Sequence, residues 1–470
     1  MQKMQSSARL GTEPVGKLLW EMAIPTVLAQ MVNLLYNIVD RIYVGHIPET
    51  GALALAGLGV TFPITMLVSA FASLVGGGGA ARASIAMGKG DGELAQKILN
   101  NCVTLLLILS AALMAVFLPL RDTILMAFGA SENTLPYASG YIFIYLLGMV
   151  FVQLTLGLNV FITNQGFSKM SMVTVCIGAA LNICLDPILI YGFHMGVQGA
   201  ALATILSQGV SAVWVVCFLN GKKSGLHVRL RDMGLNWQVL SPVLGLGLSP
   251  FVMQSTECLV QLAFNNGMQK YGDDRYVALM SICFSLTQIV WLPVSGFGQG
   301  AQPLVGYNYG AGRYDRVRQT FWKMLKTLLI FTLSAIAVVE LFPGLFMRMF
   351  TSDPELIQMG KPCVRLFLAG LSVIGLQASC QQTLMALGQA KISMFLAMNR
   401  KLILLLPLAL ILPRVGGLGV WGLLLAEPVS DFLASCTTCV IFLWRSKKLL
   451  PKQQSVWKRV EKLVHSGKNV

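Results

Sequence analysis

Charge is what this sequence has least of: only 12% of its 470 residues are Asp, Glu, Lys or Arg. Soluble domains carry about 25%, so a water-solvated globular protein is excluded. Histidine is scarcer still, and all four (His46, His194, His227 and His465) fall at the ends of apolar runs, in loops or in the tail. No imidazole is therefore left inside the apolar runs to act as a base or a metal ligand. The ten cysteines are scattered. Even Cys436-Thr-Thr-Cys439 lies in an apolar run with no second pair and no nearby His, so the cysteines read as small packing residues and not as a redox or metal framework. A phosphate-binding loop is missing as well. Gly88-Lys89-Gly90-Asp91-Gly92 has neither a Ser/Thr after its Lys nor a preceding strand, which leaves ATP without a site.

What is present is apolar: 55% of the residues are hydrophobic and the mean hydropathy is +0.68. A hydrocarbon core ~30 Å thick takes about 20 apolar residues per helix. The chain offers twelve such stretches, near 18–43, 53–75, 97–118, 137–160, 170–191, 197–219, 240–266, 276–299, 319–342, 361–385, 392–412 and 417–444. This predicts an all-α membrane protein with twelve transmembrane helices. The first stretch is long and others follow at once, so it reads as a span and not a cleaved leader. The net charge of +15 then reports orientation and not nucleic acid. With the N-terminus in the cytoplasm, 25 of the 35 Lys and Arg lie on that side, 8 outside and 2 within a span. Both termini are expected in the cytoplasm of a cell whose plasma membrane the chain spans. Lys222-Lys223 with Arg229 and Arg231, and the basic run from Arg445 to Lys468, read as topology anchors among membrane lipids.

The chain is duplicated. Gly166, Lys169, Ser171 and Met172 recur 222 positions later as Gly388, Lys391, Ser393 and Met394. Gly88-Lys89-Gly90 with Glu93 matches Gly310-Ala311-Gly312 with Asp315, and Gly196-Val197-Gln198-Gly199 matches Gly419-Val420-Trp421-Gly422. Six spans per half keep both halves in the same direction, so the repeats are parallel, as in secondary transporters with a pathway between two bundles. The expected organisation is an N-terminal six-helix lobe (1–219), a cytoplasmic linker (220–236), a C-terminal lobe (237–444) and a basic tail (445–470). Gly76-Gly77-Gly78-Gly79 marks either close helix packing or a local break in the second span.

Polar groups at membrane depth are costly unless paired or hydrated, so each is a candidate for function. In the first span Gln30, Asn33, Asn37 and Asp40 recur on one helix face with Tyr36 beside it. The fifth span adds Asn182 and Asp186, one turn apart, followed by Pro187, which weakens the local backbone ladder. Both acids fall in the outer half of one lobe. Two carboxylates confined to one polar cavity repel, so the pair is expected to hold a proton or recruit a cation, the chemistry of ion coupling. In the second half Gln254, Glu257 and Gln261 share a face of the seventh span, and Met280, Phe284, Gln288 and Trp291 lie on the eighth. Acid, amide, sulfur and aromatic groups together suit an amphipathic cation. Arg400 and Lys401 in the eleventh span, with Glu427 and Asp431 in the twelfth, read first as a structural charge cluster.

At these residues the chain resembles the multidrug and toxic compound extrusion (MATE) family. The resemblance covers nearly the whole sequence. It rests on Tyr36-Asn37-Ile-Val-Asp40 with Val44-Gly45, on Leu181-Asn182-Ile-Cys-Leu-Asp186-Pro187, and on Gln302-Pro303 followed by Gly306 to Gly312. It implies a monomeric antiporter without cofactors that exports organic cations in exchange for H+ or Na+. In the branch with an ion site in the N-terminal lobe, the matching positions are Asp40, Asn159, Asn182, Asp186 and Thr204, with Asn33, Tyr36 and Tyr141 nearby, and a transient Na+ would sit at Asp40 and Asp186. Two departures stand out: Arg41 follows Asp40 where a small polar residue is common, and the tenth span has Gln377, Gln381 and Gln382 but no acid. A flippase for lipid-linked oligosaccharides has a similar architecture, but intramembrane acids favour cations over its anionic head group. Gly88 to Gln96 lacks the loop signature of major-facilitator transporters. A membrane-embedded enzyme finds no intramembrane histidine and no nucleophile beside a base.

Overall fold

The computed structural model describes residues 5–351 and 353–451; residues 452–470, most of the basic tail, lie outside the described residues. Among the described residues eleven helices are long and apolar enough to cross a membrane, and the fourth span, which brings the number to twelve, is the pair Leu135–Leu147 and Met149–Asn164, bent by 59° where they meet. Together with the fourth, the first, second and fifth to eighth spans build the candidate site and the contact between the halves. The first is Val15–Gly45, the second Gly51–Gly88, the fifth Ser168–Pro187, the sixth Val197–Asn220, the seventh Trp237–Tyr271, the eighth Asp274–Gly310 and the twelfth Gly419–Leu449. The twelfth runs beyond the expected 444, so Arg445, Lys447 and Lys448 continue a helix before the tail begins. After Pro187 the fifth span widens into a π-helical turn, Ile188–Gly192, the local response to a missing amide donor.

The repeat has a backbone cause. Gly90 and Gly312 adopt φ of 81° and 70°, Gly166 and Gly388 94° and 75°, Gly196 and Gly419 56° and 52°. Each pair turns the chain between the same two spans of its half in a conformation that a side chain disfavours. Each lobe is held by its own apolar core, around Ile64, Ile142 and Leu146 and around Leu99, Leu106 and Phe161 in the first, and around Phe264, Cys283 and Phe367 in the second.

The lobes meet over part of their length, at the end that carries the chain's N-terminal segment and the linker. There Leu18, Leu19 and Met22 at the start of the first span join a core with Val294, Phe297 and Leu304 of the eighth. The second span continues unbroken through its four glycines, and a Cβ on Gly78 would stand 2.1 Å from the Val243 carbonyl oxygen of the seventh. The axis between the halves passes through a reciprocal contact. A Cβ on Gly88 would lie 2.1 Å from the Tyr307 carbonyl oxygen, and one on Gly310 2.1 Å from that of Ile85, the two partners again 222 positions apart. Only glycine lets these backbones touch. Gly310→Val is therefore expected to hold this end open. A cysteine placed at the buried Ser84 should then react with an impermeant thiol reagent applied from this side, above the background of the native cysteines; unchanged protection would remove the contact from the closed state.

The connection between lobes is more than a tether. Gln165 Oε1 accepts from the Gly225 amide at 2.8 Å, Gln96 Oε1 from His227 at 2.9 Å, Asn100 Oδ1 from Arg229 at 3.2 Å and Asn101 Oδ1 from Asn236 at 2.6 Å. The segment leading into the second half is thus strapped onto the first. Its counterpart does the converse: Asn308 Nδ2 donates to the Leu10 carbonyl at 2.9 Å, and Arg316 Nη2 to those of Leu10 and Glu13 at 3.0 and 2.6 Å.

Candidate functional site

A cavity of about 140 Å³ opens inside the first lobe, between the first, fourth, fifth and sixth spans. Gln30, Asn33 and Tyr36 reach it from the first span, Asn159 from the fourth, Asn182 from the fifth and Thr204 from the sixth, while Gln299 of the eighth span closes one side. Gln30 Nε2 donates to Gln299 Oε1 at 3.3 Å, so one wall is made by the other lobe. The side chains that line it are neutral throughout. The two acids adjoin it one helical turn beyond Tyr36 and Asn182, with Asp40 8% and Asp186 0% exposed.

The geometry around the acids is under-satisfied. Asn182 Nδ2 donates to Asp186 Oδ1 at 3.3 Å and lies 3.4 Å from Thr204 Oγ1. Asp40 Oδ1, Asp186 Oδ2, Asn182 Oδ1 and Asn159 Oδ1 find no hydrogen-bond partner among the described residues. Asp186 lies within electrostatic range of Asp40, Tyr36 within range of both and Tyr141 within range of Asp40. A buried acceptor without a donor carries its full desolvation penalty. Oxygens gathered in this way can therefore take a proton or a small cation. Arg41, adjacent in sequence, is exposed and its guanidinium stands 6.0 Å from the Phe62 ring centre, yet its charge still acts on Asp40. Asn37, expected on the polar face, is also exposed and donates to the Asn33 carbonyl of its own helix at 2.7 Å.

The expected substrate face of the second lobe is rearranged. Met280 is 0% exposed within the lobe's core and offers a ligand no surface in this conformation. Phe284 is half-buried and packs edge-on to Phe264 and Phe367 at 5.9 and 5.8 Å, so it too serves packing. Gln254 Nε2 donates to Ser73 Oγ of the second span at 2.9 Å, a contact between lobes, and Gln288 is half-buried. Glu257 is not an isolated acid: its Oε2 lies 3.1 Å from Lys401 Nζ. It thereby joins the charge cluster, in which Arg400 Nε lies 2.7 Å from Asp431 Oδ1 and Arg400 Nη2 3.8 Å from Glu427 Oε1.

Several cavity residues were not expected from the sequence. Thr155 and Thr163, Ser171 and Thr174, and Ser207, Gln208 and Ser211 all line it. The signal was there as hydroxyls at helical spacing, but Ser and Thr often bond their own helix carbonyls, as Thr174 Oγ1 does to Met170 at 3.2 Å.

Two parallel six-helix lobes that touch at one end, with a polar cavity between helices of one lobe, have the architecture of a membrane transporter. The chain belongs to the MatE family, whose model matches residues 25–188 and again 251–411, one block per lobe. It is 25% identical over 422 residues to the multidrug export protein MepA of Staphylococcus haemolyticus, covering 89% of this chain and 92% of that protein. MepA of Staphylococcus aureus strain N315 is also 25% identical, over 92% of this chain and 95% of the relative. Among solved structures, the outward-facing conformation of a multidrug resistance MATE family transporter of the MOP superfamily superposes with a TM-score of 0.87 at 22% identity. That match covers 96% of this chain and 99% of the other, and shows a shared fold.

Proposed function

We propose that the protein is a multidrug efflux antiporter that exports amphipathic organic cations in exchange for H+ or Na+, with the driving ion held at Asp40 and Asp186. The observation that carries this reading is the buried pair of acids beside the first-lobe cavity, with carboxylate and amide oxygens left without donors among the described residues. Asn33, Tyr36, Asn159, Asn182 and Thr204 supply the surrounding hydroxyls and amides. These are hard oxygen ligands of the kind that suits a proton or Na+. Glu257, flanked by Gln254 on the seventh span and Gln288 on the eighth, is the second-lobe contact for cationic cargo. The export named for the MepA relatives supports the same direction of transport.

The protein works as a monomer in the plasma membrane with both termini in the cytoplasm. In that orientation the end at which the lobes touch faces the cytoplasm. An impermeant reagent outside should label cysteines placed in 129–136 and 351–358 and spare 220–236; the reverse pattern would overturn the orientation. Function is tested by reconstituting the protein in vesicles and following a cationic dye under a pH gradient or a Na+ gradient imposed separately. One of the two should accelerate dye movement against its flow. Equal dye flux with either gradient or with none would contradict antiport.

A further inference from the structure

Glu257 does not stand open to a cation, because its carboxylate is already occupied by Lys401 Nζ at 3.1 Å. This pair forms the accessible margin of the charge cluster, with side chains 21% and 11% exposed, whereas those of Arg400, Glu427 and Asp431 are 8%, 6% and 1% exposed. The deeper arginine is committed. It pairs with Asp431 at 2.7 Å, reaches Glu427 Oε1 at 3.8 Å and stands 5.6 Å from the Trp291 ring centre. Glu427 Oε2, however, has no hydrogen-bond partner among the described residues, and the charge of Lys401 also acts on Glu427. Lys401 therefore has a second place to go.

The local backbone favours such movement. Lys401 sits in the π-helical turn Asn399–Leu405, and such turns recur where helices adjust at functional sites. The Arg400 carbonyl in that turn is held by Ser430 Oγ at 3.0 Å, so the backbone stays anchored while a flexible four-carbon stem carries the ammonium. Charge counting gives the class of ligand. Glu257, Glu427 and Asp431 face Arg400 and Lys401, three acids against two bases, so the group favours a cation over an anion.

We propose that Lys401 is a built-in competing cation: it occupies Glu257 when no cargo is bound, and a monovalent organic cation binds there by displacing the ammonium toward the open oxygen of Glu427. Lys401 thus sets specificity, because a neutral molecule cannot displace it and gains nothing from Glu257. This inference rests on the assignment of Glu257 as a cargo contact, and the test separates the two.

Binding of tetraphenylphosphonium and of neutral triphenylphosphine oxide is measured on the purified full chain in detergent, by calorimetry. Lys401→Met should tighten the cation's Kd by roughly tenfold, the scale of a close charge pair, and leave the neutral ligand unchanged. Lys401→Arg, which keeps the charge on a pre-organised fork, should weaken the cation several-fold. Glu257→Gln should weaken the cation alone. If Glu257→Gln leaves the cation's Kd unchanged, the cargo contact itself is wrong. If Glu257→Gln weakens it but a folded Lys401→Met binds the cation no more tightly than the wild type, Lys401 is only a staple between helices and the proposal is overturned. Should Lys401→Met not fold, Lys401→Arg decides: cation binding equal to or tighter than the wild type overturns the proposal.

Discussion

Asp40→Asn and Asp186→Asn should each abolish gradient-driven export of a cationic dye from reconstituted vesicles while leaving most dye binding intact. Asparagine keeps the shape and the hydrogen bonds but neither releases a proton at working pH nor neutralises a bound cation. The substitution is expected to be tolerated, because one oxygen of each acid, Asp40 Oδ1 and Asp186 Oδ2, already lacks a donor among the described residues, while Asp186 Oδ1 can go on accepting from Asn182 as an amide oxygen. Binding survives because the cargo contacts proposed at Glu257 lie in the other lobe. The gradient is an adequate source of work. Each charge moved is worth ~2.3 kcal/mol per 100 mV, and a tenfold ion gradient adds about 1.4 kcal/mol. Export at the wild-type rate with the wild-type gradient dependence in either variant would remove that residue from coupling.

Arg400→Met should be the most damaging single change in the second lobe. It strands Asp431 and Glu427, whose side chains are 1% and 6% exposed, and leaves Lys401 to face three acids. Breaking a buried pair from one side costs about 3–5 kcal/mol, which should appear as a large drop in the thermal midpoint of the detergent-solubilised protein and poor recovery from membranes. Combining it with Asp431→Asn should restore part of the loss, because the removed acid no longer needs a partner. No recovery in the double variant would mean that Arg400 acts through its packing on Trp291 and not through charge.

Much of this was legible in the sequence for physical reasons that local patterns preserve. A span must be largely apolar along its length, and a left-handed turn favours glycine in both halves. Hence the spans and the repeat could be read directly, and three pairs of the repeat glycines proved to be positive-φ residues. The acids Asp40 and Asp186 stood out because each repeats a polar step along one helix face. Partners across helices were another matter. Glu257 and Lys401 are 144 positions apart, and no periodicity on the seventh span says that an ammonium from the eleventh lies 3.1 Å away. Met280 and Phe284 share a helix face with polar neighbours, yet that face is turned into the core by the tenth span, where Phe367 packs on Phe284. The linker looked like a simple connection because amides such as Gln96, Asn100 and Gln165, which strap it down, are spread over two other spans.

Exchange itself is tested most directly by running the transporter backwards from the cargo side. Vesicles holding the purified protein are given an outward gradient of a membrane-impermeant organic cation, with no ion gradient and the membrane potential clamped, and the internal pH and Na+ are followed together. Antiport through Asp40 and Asp186 predicts that the leaving cation draws H+ or Na+ inward in proportion to its flux, and that Asp40→Asn abolishes this movement. Cation efflux at the wild-type rate with no accompanying movement of either ion would contradict it.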